Sequence, residues 1–236
     1  MSRLYGDKED ISSEKVKDFF NKRASKDVES EFAIVLFQDK ENSQQRHEDE
    51  KKVFYENIDV SGKSVLEIGC GVGRWAEALH GKCDSYLGLD FSEELLEIAK
   101  NSYKDFDDCH FQFMSATDIK VDELIIKPPF DVVIFSGFLM YINDDDLDII
   151  IDEVNQITSD DKKVFAMEPI SHMDSRLTLK DFYSEGLESD YNAIYRTEDE
   201  YVEFFEKLNC KNIRTGNIFE ELSHHSETGY MYFVIE

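Results

Sequence analysis

The segment "SVLEIGCGVGRWAEAL", Ser64 to Leu79, constrains this chain more than any other. A short apolar run ends in glycines at alternate positions, Gly69, Gly71 and Gly73, and passes into a helix-forming stretch. Only 11 of the 236 residues are glycine, so this clustering marks a backbone that must turn sharply or be approached closely. In α/β proteins a strand, a glycine turn and a helix in this order receive a nucleotide-type ligand. The second contact of such a ligand is an acid at the end of the next strand, placed for ribose hydroxyls. Asp90 ends "SYLGLD", 21 positions after Gly69. A dinucleotide fingerprint would carry its third glycine at position 74, where this chain has Arg74.

The rest of the chain fits that unit. Three helices are expected ahead of it, around residues 13–25, 28–37 and 46–57. From Ser64 onward, strand-like runs at 64–69, 85–90, 110–115, 130–137 and 163–168 alternate with helix-like segments. The runs are short and rich in Val, Ile, Leu and Phe, as strands covered on both faces should be. Ser92 and Asn143 stand at helix-capping positions, and Thr197 with Glu200 has capping-box spacing. Leu147, Ile150, Ile151, Val154 and Ile157 form a helical apolar stripe. Two final runs, 212–218 and 229–235, have no helix between them and read as an antiparallel pair. The pattern predicts an α/β fold with a doubly wound, mostly parallel seven-stranded sheet. Ligands of such sheets bind at the carboxyl ends of the strands.

Charge narrows the partners. Asp and Glu number 52 against 26 Lys and Arg, a formal net charge of −26. A surface this negative repels phosphate backbones and anionic lipid, so nucleic acid and membrane are not expected as partners. Cys70, Cys83, Cys109 and Cys210 are scattered, without a CxxC or a nearby histidine pair. That argues against a zinc site or disulfide framework and for reduced thiols. The first residues, "MSRLYGDKEDISSEK", are charged, and no apolar run approaches the ~20 residues a membrane span needs. A cytoplasmic location is expected.

"EIGCGVG" resembles the first motif of class I S-adenosylmethionine-dependent methyltransferases. "YLGLDFS" is similar to that family's second motif and "FDVVIFSGFLMYIND" to its fourth, in the expected order over about residues 61–170. The resemblance implies a Rossmann-like methyltransferase fold and S-adenosylmethionine as cofactor. By it, the backbone of Gly69, Cys70, Gly71 and Gly73 would cradle the methionine moiety, with Glu67 orienting its ammonium. Asp90 would accept the ribose hydroxyls and Phe91 would lie against adenine. The third motif departs from the pattern: in "FQFMSATDI", Ser115 stands where many relatives have an acid. Backbone contacts from Ala116 and Thr117 are expected there, with either Ser115 making the acid's contact more weakly or Asp118 reaching back to make it; Asp118 as a simple turn residue is the other reading. Ser136, at the end of the fourth strand, completes the implied set. The chain would then form one domain, residues 1–236. Its parts are a helical cap (1–60), a cofactor-binding core (61–168), a lid after the fifth strand (169–196), and a C-terminal helix with an antiparallel strand pair (197–236).

Arg23 lies on the helical face of Val16, Phe19 and Phe20. A guanidinium on a core-facing stripe needs a partner, and the methionine carboxylate would be a bidentate one; Arg23 reaching a surface glutamate is the alternative. Tyr5 is a further candidate to close over the cofactor. Acceptor-side candidates are Tyr141, His47, Glu168, His172, Arg176, Tyr195 and Arg196, with His172 the expected base and Tyr141 its companion. Three acids in "NDDDL" suit a helix start better than a metal, and no metal is expected. The lid, similar to that of methyltransferases of bacterial surface-polysaccharide biosynthesis, suggests a small-molecule acceptor. Expected acceptors are a sugar, a sugar nucleotide or a phosphorus-containing metabolite, with Arg176 and Arg196 reading an anionic or nucleotide-linked group. O-methylation is expected; N-methylation of a small amine, or a cofactor-binding regulatory module without activity, are the alternatives.

Overall fold

A computed structural model describes residues 2–25, 31–36, 40–185, 187–219 and 227–236. The elements follow as β1 (Ser2–Tyr5), α1 (Ser13–Ala24), α2 (Glu31–Leu36), α3 (Lys40–Asn57), β2 (Ser64–Ile68), α4 (Arg74–Leu79), β3 (Ser85–Asp90), α5 (Glu93–Ser102), β4 (Cys109–Phe113) and β5 (Phe130–Ser136). After these come α6 (Asp144–Ile157), β6 (Thr158–Ser171), β7 (Leu177–Ser184), β8 (Ser189–Tyr195), α7 (Glu198–Phe205), β9 (Ile213–Ile218) and β10 (Thr228–Ile235). A seven-stranded sheet runs β4-β3-β2-β5-β6-β10-β9, and a three-stranded sheet runs β1-β7-β8. This is the mostly parallel sheet that the alternation predicts.

The chain divides into two compact units, one of residues 20–134 and 157–163, the other of residues 1–19, 135–156 and 164–236. The first holds β2, β3 and β4 in parallel register, Leu66 beside Leu87 and Gly88 beside Phe111. The side chains of β2 and β3 are buried on both faces, which is why these strands read as nearly unbroken apolar runs, whereas β4, at the sheet edge, exposes His110 and Phe113. Gly88 is required by close approach: a Cβ there would lie 2.8 Å from the Cys70 Sγ, so only glycine lets the loop after β2 settle against β3. Ser92 caps α5 as expected, its hydroxyl accepting from the Leu95 N–H.

In the second unit β6, β10 and β9 pair antiparallel. β6 is much longer than the expected 163–168, because β10 pairs with it from Val164 to Ser171. The expected cap at residues 1–60 is helical only in part: Ser2–Tyr5 is a strand and pairs antiparallel with β7. Residues 169–196 are the end of β6 and a bulged β7–β8 hairpin that joins β1. The Thr197–Glu200 capping box is formed. The Asn143 side chain instead pairs with both backbone groups of Ile11, at 2.9 and 3.0 Å. No helix among the described residues is long and apolar enough to cross a membrane.

Candidate cofactor site

The corner between β2 and α4 is built on left-handed backbone, with φ of 79° at Gly69, 54° at Gly71 and 81° at Gly73. The amides of Gly69 and Cys70 donate to the Leu89 carbonyl at 2.8 and 3.0 Å, which binds the loop to β3. Asp90, at the carboxyl end of β3, is 6% exposed. One carboxylate oxygen accepts the Gly71 amide and the other accepts the Ser92 amide, both at 2.8 Å. An ionised carboxylate offers about four lone-pair sites. Two of them hold the loop and the start of α5.

Around this acid the unit is closely organised. The Ser92 hydroxyl donates to the Asn21 side chain at 2.8 Å, which brings α1 to the start of α5. The Met114 amide donates to the Asp90 carbonyl at 3.0 Å, placing the turn of Ser115, Ala116 and Thr117 beside β3. In that turn the Ser115 and Thr117 hydroxyls bond each other at 3.0 Å. Asp118 is ion-paired with Lys120, as a turn residue would be. Phe91 is half-buried, the mixed exposure a stacking face needs.

Glu67 is fully buried on β2 and accepts the Tyr86 hydroxyl. Burial pushes its pKa up to about 8 against the opposing pull of the Tyr86 bond and Arg74; Asp90 and Glu50 push the same way as burial. The glutamate is therefore protonated near neutrality, and a cation beside it would displace that proton. Burial likewise carries the Cys70 thiol well above its usual range.

Several expectations need correction. Gly73 is a packing position: a Cβ there would meet Phe111 at 2.8 Å and Tyr103 at 3.0 Å, within the protein's own core. Arg23 donates from Nε and Nη2 to the carbonyls of Ile34 and Ala33, at 2.6 and 2.8 Å, and so holds the carboxyl end of α2. Neither a surface glutamate nor a ligand carboxylate accounts for those two bonds. α2 in turn lies over the loop, its Val35 Cγ1 3.2 Å from where a Gly71 Cβ would stand. His47 is buried on α3 between Phe32 and Trp75, with Nδ1 2.9 Å from Arg74. Arg74 also pairs with buried Glu50, where burial is outweighed by Arg74, Arg46 and His47 and the carboxyl is held far below its usual range. His47 thus anchors the glycine-loop helix and is no acceptor-side group.

The second unit carries the remaining candidates. Tyr141 is buried, its hydroxyl 2.9 Å from that of Tyr191, against which Phe19 packs edge-on. Burial raises both phenols well above their ordinary range, so Tyr141 can orient a partner but cannot serve as a base near neutrality. Glu168 is fully buried and accepts the amides of Phe138, Leu139 and Met140 at 2.9, 3.0 and 3.3 Å. Burial brings its pKa up to about 7 despite those bonds and Arg196. Arg196 is fully buried and grips the same segment from its carbonyl side, at Leu139 and Ile142, and binds Asp144. Arg176 bonds Asp144 and Glu200. Both arginines are committed to internal acids and carbonyls, which corrects the expectation that they read an acceptor's charge. His172 is exposed just past β6, its amide on the Glu227 carbonyl and its ring against Gly229. Ser136 is half-buried at the end of β5, and Tyr5 is exposed on β1 under the Arg3 guanidinium.

Comparison with known proteins supplies the frame for this geometry. Residues 65–161 match a family model described as a methyltransferase domain. Demethylmenaquinone methyltransferase of Lactococcus lactis subsp. lactis is 32% identical over 126 residues, covering 52% of this chain and 46% of that protein. Phosphoethanolamine N-methyltransferase 1 of Triticum aestivum is 30% identical over 117 residues, 48% of this chain and 22% of that one. The chain thus spans less than half the length of these curated relatives. Among solved structures, a SAM-dependent methyltransferase of Leishmania major aligns over 94% of this chain and 82% of its own, with TM-score 0.69 at 15% identity. Phosphoethanolamine N-methyltransferase 1 of Haemonchus contortus, in complex with phosphoethanolamine and S-adenosylhomocysteine, aligns over 95% of this chain and 49% of its own, with TM-score 0.67 at 15% identity. The sheet order and the structural alignments agree on the fold: the chain has the fold of the SAM-dependent methyltransferases it is similar to, and its residues 65–161 match a methyltransferase domain.

Proposed function

We propose that this protein transfers a methyl group from S-adenosylmethionine to a hydroxyl or amine of a small molecule. The observation that carries the reading is the Asp90 carboxylate, held by the Gly71 and Ser92 amides at 2.8 Å beside a left-handed glycine corner. When bound, the cofactor supplies an electrophilic methyl on a sulfonium with a good leaving group. The chain's part is to bind, align and exclude water. Asp90 orients the ribose, and the backbone of Gly69, Cys70 and Gly71 receives the methionine end. Glu67 gives up its proton there to face the ammonium. Phe91 and the Ser115–Thr117 turn serve the adenine.

On the acceptor side, Tyr141 offers a hydroxyl that stays protonated and so orients the acceptor by hydrogen bonding. Glu168 and Arg196 are positioning residues: they fix residues 138–142 from the amide and carbonyl sides and thereby fix Tyr141. His172 remains the candidate base for a hydroxyl acceptor, whereas a neutral amine or an acidic hydroxyl needs none. The acceptor class we favour is an alcohol or amine carrying a phosphorus group, because two of the similar proteins are phosphoethanolamine methyltransferases. Since Arg176 and Arg196 are spent internally, its phosphorus group would be met by backbone amides and hydroxyls. A sugar or sugar nucleotide of polysaccharide biosynthesis is the second class, resting on the sequence likeness of residues 176–201 alone.

The test is turnover of methyl-labelled S-adenosylmethionine against a panel of phosphoethanolamine, hydroxyalkyl phosphonates, sugar nucleotides and demethylated quinols. Labelled product from a phosphorus-containing member, abolished by Tyr141→Phe, is expected. Cofactor binding without turnover of any extracted metabolite would leave a regulatory module and refute the enzymatic reading.

A further inference from the structure

At the opposite end of the strands from Asp90, two short sequence pieces that look unrelated are brought together. α4 ends at His80, whose amide closes on the Ala76 carbonyl, and the chain turns through Cys83 before β3 begins at Ser85. β4 begins at Cys109, directly after Asp108, and Cys109 lies beside Tyr86 in parallel register. "HGKC" at 80–83 and "DC" at 108–109 therefore meet at the amino ends of β3 and β4. The strand between this corner and Asp90 is six residues long, a separation of roughly 17–20 Å.

The donors converge. His80 Nδ1 is 2.5 Å from Asp108 Oδ1, and Cys109 Sγ is 3.4 Å from the same oxygen. The ligand atoms of His80, Asp108 and Cys109 all lie within 4.8 Å of one another. The second Asp108 oxygen accepts the Gly81 amide at 2.7 Å, which fixes the carboxylate's orientation. Cys109 Sγ faces the Ala76 carbonyl at 3.8 Å and Cys83 Sγ faces that of Leu79 at 3.7 Å. Those carbonyls belong to the last turn of one helix, which puts Cys83 next to the cluster but outside the 4.8 Å that gathers the other three donors. A helix carboxyl end also carries partial negative charge, which favours a cation.

We propose that His80, Cys83, Asp108 and Cys109 form a binding site for a divalent zinc-class ion. One imidazole, one carboxylate and two thiols form the N/S/O set that tetrahedral zinc accepts, with bonds of about 2.0–2.3 Å that separate donors by roughly 3.3–3.8 Å. The Cys109–Asp108 spacing already meets this. The His80 ring must back away from Asp108 by about 0.8 Å to meet it, and Cys83 must turn from the Leu79 carbonyl by a rotamer change. The His80 side chain is 40% exposed and its ring is stacked on Phe106 with centroids 3.7 Å apart, so the shift must slide the ring along that face. Binding replaces two S–H bonds with two zinc–thiolate bonds, and the two protons pass to solvent. The ion would staple the loop after α4 to the start of β4. α4 is six residues long, about 9 Å, so the staple also stiffens the helix that leads out of the glycine corner.

The experiment uses the full chain stripped of metal with a chelator, titrated with zinc chloride by calorimetry and with cobalt(II) by absorption. One equivalent of zinc per chain is expected, together with a thiolate-to-cobalt charge-transfer band and the intense visible absorption of a tetrahedral site. His80→Ala, an exposed position that does not threaten folding, and Cys83→Ser should each weaken zinc more than tenfold. Binding of S-adenosylhomocysteine by both variants should stay within twofold of wild type, which separates this site from the cofactor reading. Absence of stoichiometric zinc binding, a cobalt spectrum without the thiolate band, or wild-type zinc affinity in either variant overturns the proposal.

Discussion

Replacing Asp90 with asparagine strikes the group on which the cofactor reading rests. The carboxylate holds two amides of its own chain and is assigned two ribose hydroxyls. A hydrogen bond to a charged group is worth about 1.5–3 kcal/mol net and a neutral one about 0.5–1.5. Asparagine still offers a carbonyl to one hydroxyl and an N–H to the other, so each ribose bond weakens by about 1.25 kcal/mol and the pair by about 2.5. At 1.4 kcal/mol per tenfold, S-adenosylhomocysteine should bind about 60-fold more weakly. The amide that loses its acceptor costs the fold about 1–2 kcal/mol as well, a change in melting temperature of roughly 2–8 °C for a chain of this size. Calorimetric titration well below the melting point isolates the binding loss. Titrating the 2′-deoxy ligand against both proteins closes a thermodynamic cycle, in which the variant should lose less affinity for the deoxy compound than for the parent. A change below threefold for Asp90→Asn, or equal losses for both ligands, would refute the ribose assignment.

Other consequences follow from particular contacts. Gly73→Ala should lower the melting temperature by several degrees, because the new Cβ meets Phe111 and Tyr103 at φ 81°, yet ligand affinity of the folded protein should change less than threefold; a large affinity loss would return Gly73 to the ligand set. Arg196→Met leaves Asp144 to Arg176 and takes the donor from the Leu139 and Ile142 carbonyls, and should cost about 2 kcal/mol, read as a lower denaturation midpoint; an unchanged midpoint would deny it the clamping role. Glu67 and Glu168, with pKa values raised by burial to about 8 and about 7, bind more protons folded than unfolded between about pH 4.5 and 8. Stability of the ligand-free protein should therefore fall as pH rises from 5 to 8, and fall less in Glu67→Gln; a melting temperature that rises over that range contradicts the burial argument. The same proton makes cofactor affinity increase with pH up to about 8, since the ammonium must displace it, and this slope should vanish in Glu67→Gln.

What could be read beforehand follows a physical division. Periodicity and glycine placement report on backbone, so β2, β3, β5, the caps of α5 and α7, and the Gly69–Asp90 pair stand close to where they are expected. Partners of polar side chains depend on elements distant in sequence. Arg23 ends on the carbonyls of α2, His47 on Arg74, and Arg176 and Arg196 on Asp144. Each is a charged or titratable residue that looked available for a ligand and is satisfied within the protein. Asn21 was missed because nothing local marks its bond to Ser92. Four residues at Ser2–Tyr5 carry too little alternation to declare a strand; only the β7–β8 hairpin makes them one. A signal for Glu168 did exist: a lone acid inside the apolar run "VFAMEPI" needs donors, and the amides of residues 138–140 provide them.

The most direct test of the account is a crystal structure of the full chain with S-adenosylhomocysteine. Both ribose hydroxyls should lie within hydrogen-bonding distance of the two Asp90 oxygens, with the amino-acid end against the backbone of Gly69 to Gly71. Ligand density elsewhere, or a corner that stays closed under α2 at saturating ligand, would contradict it.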